Sequence, residues 1–183
     1  MPLSVLLLSL CQALLITGNS LLIPVSPLIG ASLAPSPAWS TAPVATQWLG
    51  LMCATVPASL IMARLGRRRG FMLGHLVGLV GVGVACEALV SEDFWRFMLA
   101  TWLIGIGIGF GQLYRFAATE VAPLRLRDRA IGLVMSGGVL AAFLGPWLAN
   151  TSRALGETPF LMSFLGLGVL YVLALLILTM VRL

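Results

Sequence analysis

The sequence predicts an all-α membrane protein: six transmembrane helices in one bundle, built as two inverted three-helix repeats. Three observations carry that expectation. The 183 residues are 60% hydrophobic and only 9% charged, with a mean hydropathy of +1.05, whereas a soluble domain carries about 25% charged residues. The apolar residues fall in runs long enough to cross a bilayer, which takes roughly 20 residues of helix. The basic residues, all of them arginines, gather in alternate gaps between those runs.

Span 1 is expected at about 3–25. It carries no charge from Met1 to Leu10 and runs on through Gln12, Thr17 and Asn19 to Pro24. A secretion leader has a basic start and a short apolar stretch instead, although Ala31-Ser32-Leu33-Ala34 has the small residues of a cleavage site. Further spans are expected at about 43–63, 71–91, 95–118, 131–150 and 159–181. Together they occupy most of residues 1–183, which reads as a single bundle with no soluble domain. The 1–2 and 4–5 connections are long, the 2–3 and 5–6 connections short, and residues 91–95 link two groups of three. Two groups with three spans each must run in opposite topology, the pattern of an inverted repeat.

Orientation follows from the arginines. Arg64, Arg67, Arg68 and Arg69 lie between spans 2 and 3, Arg125, Arg127 and Arg129 between spans 4 and 5, and Arg182 after span 6. The other gaps hold Arg96 and Arg153 among Glu92, Asp93 and Glu157, while 31–42 is uncharged. Basic residues in short loops mark the cytoplasmic side. Both termini are therefore expected inside, in a bacterial inner (plasma) membrane. The pI near 10.1 reflects loop anchors that face anionic lipid, so membrane lipid is an expected partner and nucleic acid is not. Cys11, Cys53 and Cys86 all fall within spans, and an odd number of such thiols makes no disulfide framework. They read as small packing residues.

Three stretches carry a family signal. Between spans 2 and 3 stands Ser59-Leu60-Ile61-Met62-Ala63-Arg64-Leu65-Gly66-Arg67-Arg68. Gly66 permits a tight reversal there, and the arginines hold it in the headgroup region. Span 5 contains Gly137-Gly138-Val139-Leu140-Ala141-Ala142-Phe143-Leu144-Gly145-Pro146, whose small residues let helices approach closely in lipid. Pro146 frees a carbonyl and allows a bend. Before it come Glu120-Val121-Ala122-Pro123 and Arg129-Ala130-Ile131-Gly132. In this order the three resemble the major facilitator superfamily. Its signature loop is Gly-x-x-x-Asp-Arg-x-Gly-Arg-Arg, its fifth helix carries a glycine-rich Gly-Pro motif, and an Arg-Gly or Arg-Ala pair opens that helix. Arg64, Gly66, Arg67 and Arg68 match the signature, while Ser59 replaces its first Gly and Ala63 its Asp.

The resemblance implies a secondary transporter of a small-molecule solute. It also implies twelve spans in two bundles with the substrate path between them, and this chain corresponds to the amino-terminal six. The expected partner is a second six-helix bundle, either another copy of this chain or a separately encoded half. The alternative is a truncated or accessory membrane protein with no transport of its own. Gating is expected at the cytoplasmic loop residues Arg64, Gly66, Arg67, Arg68, Glu120 and Arg129. The family's Asp latches the two bundles together, and Ala63 removes that group here.

By the same resemblance, helices 1 and 4 line the cavity. Gln12, Asn19 and Ser26 recur at one helical face of span 1. Their alternative role is interhelical hydrogen bonding that only joins the bundle. In span 4, Gly105/Gly109 and Gly107/Gly111 form two small-x-x-x-small pairs on neighbouring faces. No strand precedes these glycines, so they are no dinucleotide fingerprint. Gln112, Tyr114 and Arg115 follow, with Glu120 beyond. Arg115 either snorkels to the headgroups or stands at the inner end of the cavity, to bind an anionic solute or to pair with Glu120 as a gate. A charge at a helix centre costs about 2.5–3.5 kcal/mol on the insertion scale. Glu87 and the single histidine, His75, are expected near the interfaces.

Tyr114-Arg115-Phe116-Ala117-Ala118 with the helix 5 glycines also resembles a bacterial subgroup that imports copper or riboflavin. Copper needs soft ligands gathered on one face, and Met52-Cys53 is the only adjacent pair in the sequence, so no metal site and no cofactor are expected. An intramembrane enzyme is the rival class. A rhomboid-type protease needs a Ser nucleophile beside a His base, but His75 precedes Ser136-Gly137-Gly138, the reverse of that family's order, and no enzyme is expected.

Overall fold

The computed structural model describes residues 3–152 and 158–181. Arg153, Glu157 and Arg182, which entered the orientation argument, lie outside the described residues. The described chain is helical throughout, without a strand. Helix α1 covers Leu3–Leu33, and a 3-10 turn at Pro37–Trp39 leads into α2, Ala42–Leu65. Then come α3 (Arg67–Val90), α4 (Phe94–Gly111) and α5 (Tyr114–Val121). A second 3-10 turn, Leu124–Leu126, opens α6 (Arg127–Ser152), and α7 is Leu161–Met180. With α4 and α5 taken as one crossing, the described residues hold six segments long and apolar enough to span a bilayer. The protein is an integral membrane protein.

Two boundaries differ instructively from the expected ones. Helix α1 continues well past residue 25, through Pro24 and Pro27. Proline removes one N–H from the ladder but tolerates a helical φ, and the last turn still closes, with Ala34 N donating to Gly30 O at 2.8 Å. Span 4 is interrupted at Gln112-Leu113, where Leu113 N donates to Phe110 O at 3.2 Å in a tighter turn. The glycines at 105, 107, 109 and 111 lie just before that interruption, and each is about 1 kcal/mol poorer than Ala as a helix former.

Packing follows a simple rule. Helix α1 packs along α6, α2 along α4, and α3 along α4, while α7 rests on α3 and α1. Exchanging spans 1, 2 and 3 with spans 4, 5 and 6 maps this set onto itself: pair 1–5 becomes 4–2, pair 3–4 becomes 6–1, and 3–6 is unchanged. Two inverted three-helix repeats therefore form one bundle.

Glycine makes the two long pairs possible. A Cβ on Gly105 would strike the Gln47 carbonyl oxygen, and one on Gly109 would press on Leu51 and Ala54, all on α2. On the neighbouring face Gly107 meets the backbone of Gly74 and Gly78 on α3, and Gly111 meets Leu15 on α1. The two small-residue pairs of span 4 thus serve different neighbours. In the other pair, Gly137, Gly138 and Gly145 of α6 lie against Ser9, Ala13, Ile16, Thr17 and Ser20 of α1. Outside these contacts, α2 leaves Trp48, Met52, Val56 and Leu60 exposed, and α6 leaves Val139, Phe143 and Trp147 exposed.

Gly105→Val is expected to destabilise the bundle by about 1–3 kcal/mol, the usual cost of overpacking. It should lower the temperature at which the detergent-solubilised protein loses its monodisperse peak on size exclusion. Gly132, which has nothing within 4 Å of an added Cβ, should accept Ala without loss, so equal damage at both positions would refute the packing account.

Candidate functional site

The polar stripe of α1 meets a second polar residue near the middle of that helix. Asn19 stands close to the middle of Leu3–Leu33, half-buried. Its Oδ1 accepts a hydrogen bond from Gln47 Nε2 of α2 at 2.7 Å. Gln47 is 3% exposed, and its other amide atom, Oε1, is buried without a partner. Along the same stripe, Gln12 is 8% exposed and Ser26 fully buried, with Gln12 Oε1 and Ser26 Oγ likewise unpaired. Helices α1 and α2 otherwise touch little, so the amide pair is a main link between them. A second link ties α2 to α4, where the hydroxyls of Thr46 and Thr101 lie 2.8 Å apart.

The span 4 residues divide. Gln112 is half-buried and Arg115 exposed, with the Arg115 guanidinium 5.0 Å from the centre of the Phe116 ring. Tyr114 turns the other way. It is fully buried and stacks on Phe71 of α3 with ring centres 4.1 Å apart. Consecutive residues on a helix point about 100° apart, so Tyr114 and Arg115 cannot share one face.

The basic end is organised by the short loop. Gly66 has φ of +87° and lets one residue join α2 to α3, as the motif required. Arg67 grips the Glu120 carboxylate with Nε at 3.0 Å and with Nη2. Arg68 Nη2 donates to Thr179 O at the end of α7, at 2.7 Å. Loop 2–3, the end of span 4 and the end of span 6 are thereby tied together. Arg64 and Arg129 are exposed. Arg115 and Glu120 are not paired in this arrangement: five residues apart, the two side chains diverge around the helix, beyond the three or four of a facing pair, and Arg67 holds the carboxylate. Pro146 is exposed, while Gly145 beside it is buried against α1.

At the opposite end Trp39 and Trp95 pack edge to face at 5.8 Å. Glu87 accepts from Arg96 at 2.7 Å with both side chains largely exposed, an interfacial ion pair. His75 corrects the expectation of an interfacial residue. It is fully buried, with Nδ1 3.0 Å from Phe71 O and the Tyr114 and Tyr171 rings 6.0 and 5.5 Å away. Helix α3 starts at Arg67, earlier than expected, which carries His75 more than two turns into the bundle. Gln47 escaped the sequence reading altogether. Its only signal was the polar pair Thr46-Gln47 inside an apolar run.

Comparison with known proteins adds an independent view. The sequence profile of the Major Facilitator Superfamily matches residues 8–183. The riboflavin transporter RfnT of Brucella anthropi is 38% identical over 180 residues, which cover 98% of this chain and 45% of that protein. Sugar transport protein 8 of Arabidopsis thaliana is 32% identical over 113 residues, 60% of this chain and 22% of that one. YdeG, an uncharacterized MFS-type transporter of Bacillus subtilis, is 27% identical over 129 residues, 70% and 30% of the two chains. The chain spans less than half the length of these relatives.

The Arg67 and Glu120 side chains are 28% and 52% exposed, and exposed pairs contribute about 0–1 kcal/mol. A double-mutant cycle with Arg67→Ala and Glu120→Ala should therefore return a coupling no larger than that in thermal unfolding, and one that shrinks with added salt. A coupling of several kcal/mol would show that the pair is shielded in the membrane-bound protein.

Proposed function

This chain belongs to the Major Facilitator Superfamily, and we propose that it forms the amino-terminal six-helix bundle of a solute transporter completed by a second bundle. The observation that carries the reading is the similarity of nearly the whole chain to part of a riboflavin transporter. The solute class we propose is accordingly riboflavin-like: a flat, uncharged heterocycle with a hydroxylated side chain, moved without any bond being made or broken. Such a solute asks for hydrogen-bonding side chains at mid-membrane, where transporters of this design bind their cargo. The Asn19–Gln47 pair supplies them, and Gln12 and Gln112 extend the polar track toward the basic end. Arg115 stands at that end as an exposed cation, and Tyr114 supports it from inside the bundle by fixing α5 against α3.

The second bundle rests on the exposed apolar faces of α2 and α6 in this proposal. It is another copy of this chain or a separately encoded half. The arginine-rich end faces the cytoplasm and the membrane is the bacterial inner membrane, because arginine loops are retained on the side of synthesis. Ala63 leaves the loop without the carboxylate that the family's latch uses, so the Arg67–Glu120 and Arg68–Thr179 contacts hold that end together from within.

Uptake of labelled riboflavin into bacteria lacking their own riboflavin import tests this reading. Uptake above the vector control is expected when this chain is present with a completing bundle, and disulfide crosslinking across α2 and α6 identifies whether that bundle is a second copy. Arg115→Ala should lower uptake by about tenfold or more, equivalent to about 1.4 kcal/mol of transition-state stabilisation, at unchanged membrane expression. Absence of uptake in every pairing, with the protein present in membranes, would remove the riboflavin reading.

A further inference from the structure

Among the described residues, Gln47 is one of five that bury a side-chain polar atom without a partner, and its amide is the one bonded to the approachable Asn19. Its backbone is pinned against α4, where Gly105 has no room for a Cβ beside the Gln47 carbonyl. Its side chain is directed across to α1, where Nε2 reaches Asn19 Oδ1 at 2.7 Å. Oε1 is left buried and without a partner. Turning both amides over exchanges the atoms but still leaves one Gln47 amide position unpaired, since each amide offers both an acceptor and donors. A leucine would fill the same volume without burying an unpaired polar atom, an arrangement that is costly away from water.

We propose that Gln47 is a specificity residue that reads the imide edge of a heterocyclic solute, in which an N–H is flanked by two carbonyls. This rests on the riboflavin-type reading above and names the part of the solute that the α1–α2 pair would recognise. Gln47 Oε1 accepts from the imide N–H, and the Asn19 amide nitrogen donates to a flanking carbonyl. The geometry suits this division of roles. Asn19 is half-buried and is the approachable member, whereas Gln47 is the enclosed one, and the terminal torsion of a glutamine is broad enough to turn its amide plane at little cost. A purely aliphatic solute offers no donor and would leave Oε1 unpaired.

The test is competition against labelled riboflavin uptake by unlabelled riboflavin and by its N3-methyl analogue, which lacks the imide N–H. The wild-type protein should be inhibited about tenfold less well by the methylated compound, the effect of one lost hydrogen bond inside a closed site. Gln47→Leu, checked for normal membrane expression and a monodisperse peak, should transport less and no longer distinguish the two competitors. Equal inhibition by both compounds in the wild-type protein overturns the assignment and needs no variant to fold. An unchanged preference in Gln47→Leu also overturns it, while leaving the riboflavin reading intact. Absence of riboflavin uptake by the wild-type protein overturns both together.

Discussion

The bundle depends on backbones meeting at glycine. In water, helices associate because apolar surface leaves the solvent. In lipid that incentive is gone, and close packing, interhelical hydrogen bonds and lipid entropy remain. Helix α4 lays Gly105 and Gly109 on α2, Gly107 on α3 and Gly111 on α1, so three neighbours are positioned by one stretch of chain. The side-chain bonds between spans, such as Thr46 to Thr101 and Ser152 to Ser163, are worth about 0.6 kcal/mol each on average. They set register; they do not replace the close approach. The core divides accordingly into two apolar clusters, one around Phe71, Phe110 and Tyr114 and one around Phe97, Ile104 and Phe164, with the glycine-lined crossings beside them.

The same constraint explains why the repeat is clear in the packing and absent from the residues. Pairs 4–2 and 1–5 correspond under the inverted repeat, and both need small residues at the crossing. In the first pair the glycines are mostly on span 4, and in the second mostly on span 5, which are not equivalent helices. A crossing needs only one thin partner, so each repeat is free to thin a different one. Architecture is thereby kept while the sequences of the two triplets diverge, and loop lengths carried the only trace of the repeat in the chain itself.

This sets what was readable. Crossing number and family came through because hydropathy runs and the Gly66 loop are local signals. The two faces of span 4 came through because glycine spacing on a helix is geometry. Rotation about each helix axis did not. A membrane helix is apolar toward both its neighbours and the lipid, so no amphipathic stripe shows which way a residue turns. That is why Tyr114 and Arg115 looked alike, why His75 looked interfacial, and why Gln47 passed unnoticed in a span with no polar periodicity. The partner of Glu120 was not legible because proximity in sequence says little about proximity across loops, and Arg67 arrives from another hairpin.

The basic end shows what such a cross-loop contact does. Arg67 and Arg68 are neighbours on one tight turn, yet they reach different places, the Glu120 carboxylate and the Thr179 carbonyl. One turn therefore gathers the ends of spans 4 and 6, and it draws its acid from inside the bundle while Ala63 contributes none. A carboxylate at Ala63 would project from the exposed side of the loop, toward whatever lies opposite. A carboxylate at Glu120 keeps the interaction within this bundle and ties the end of span 4 to the turn that also reaches span 6. The exposure of the pair keeps its strength low, which leaves Arg67 free to exchange partners without unfolding anything.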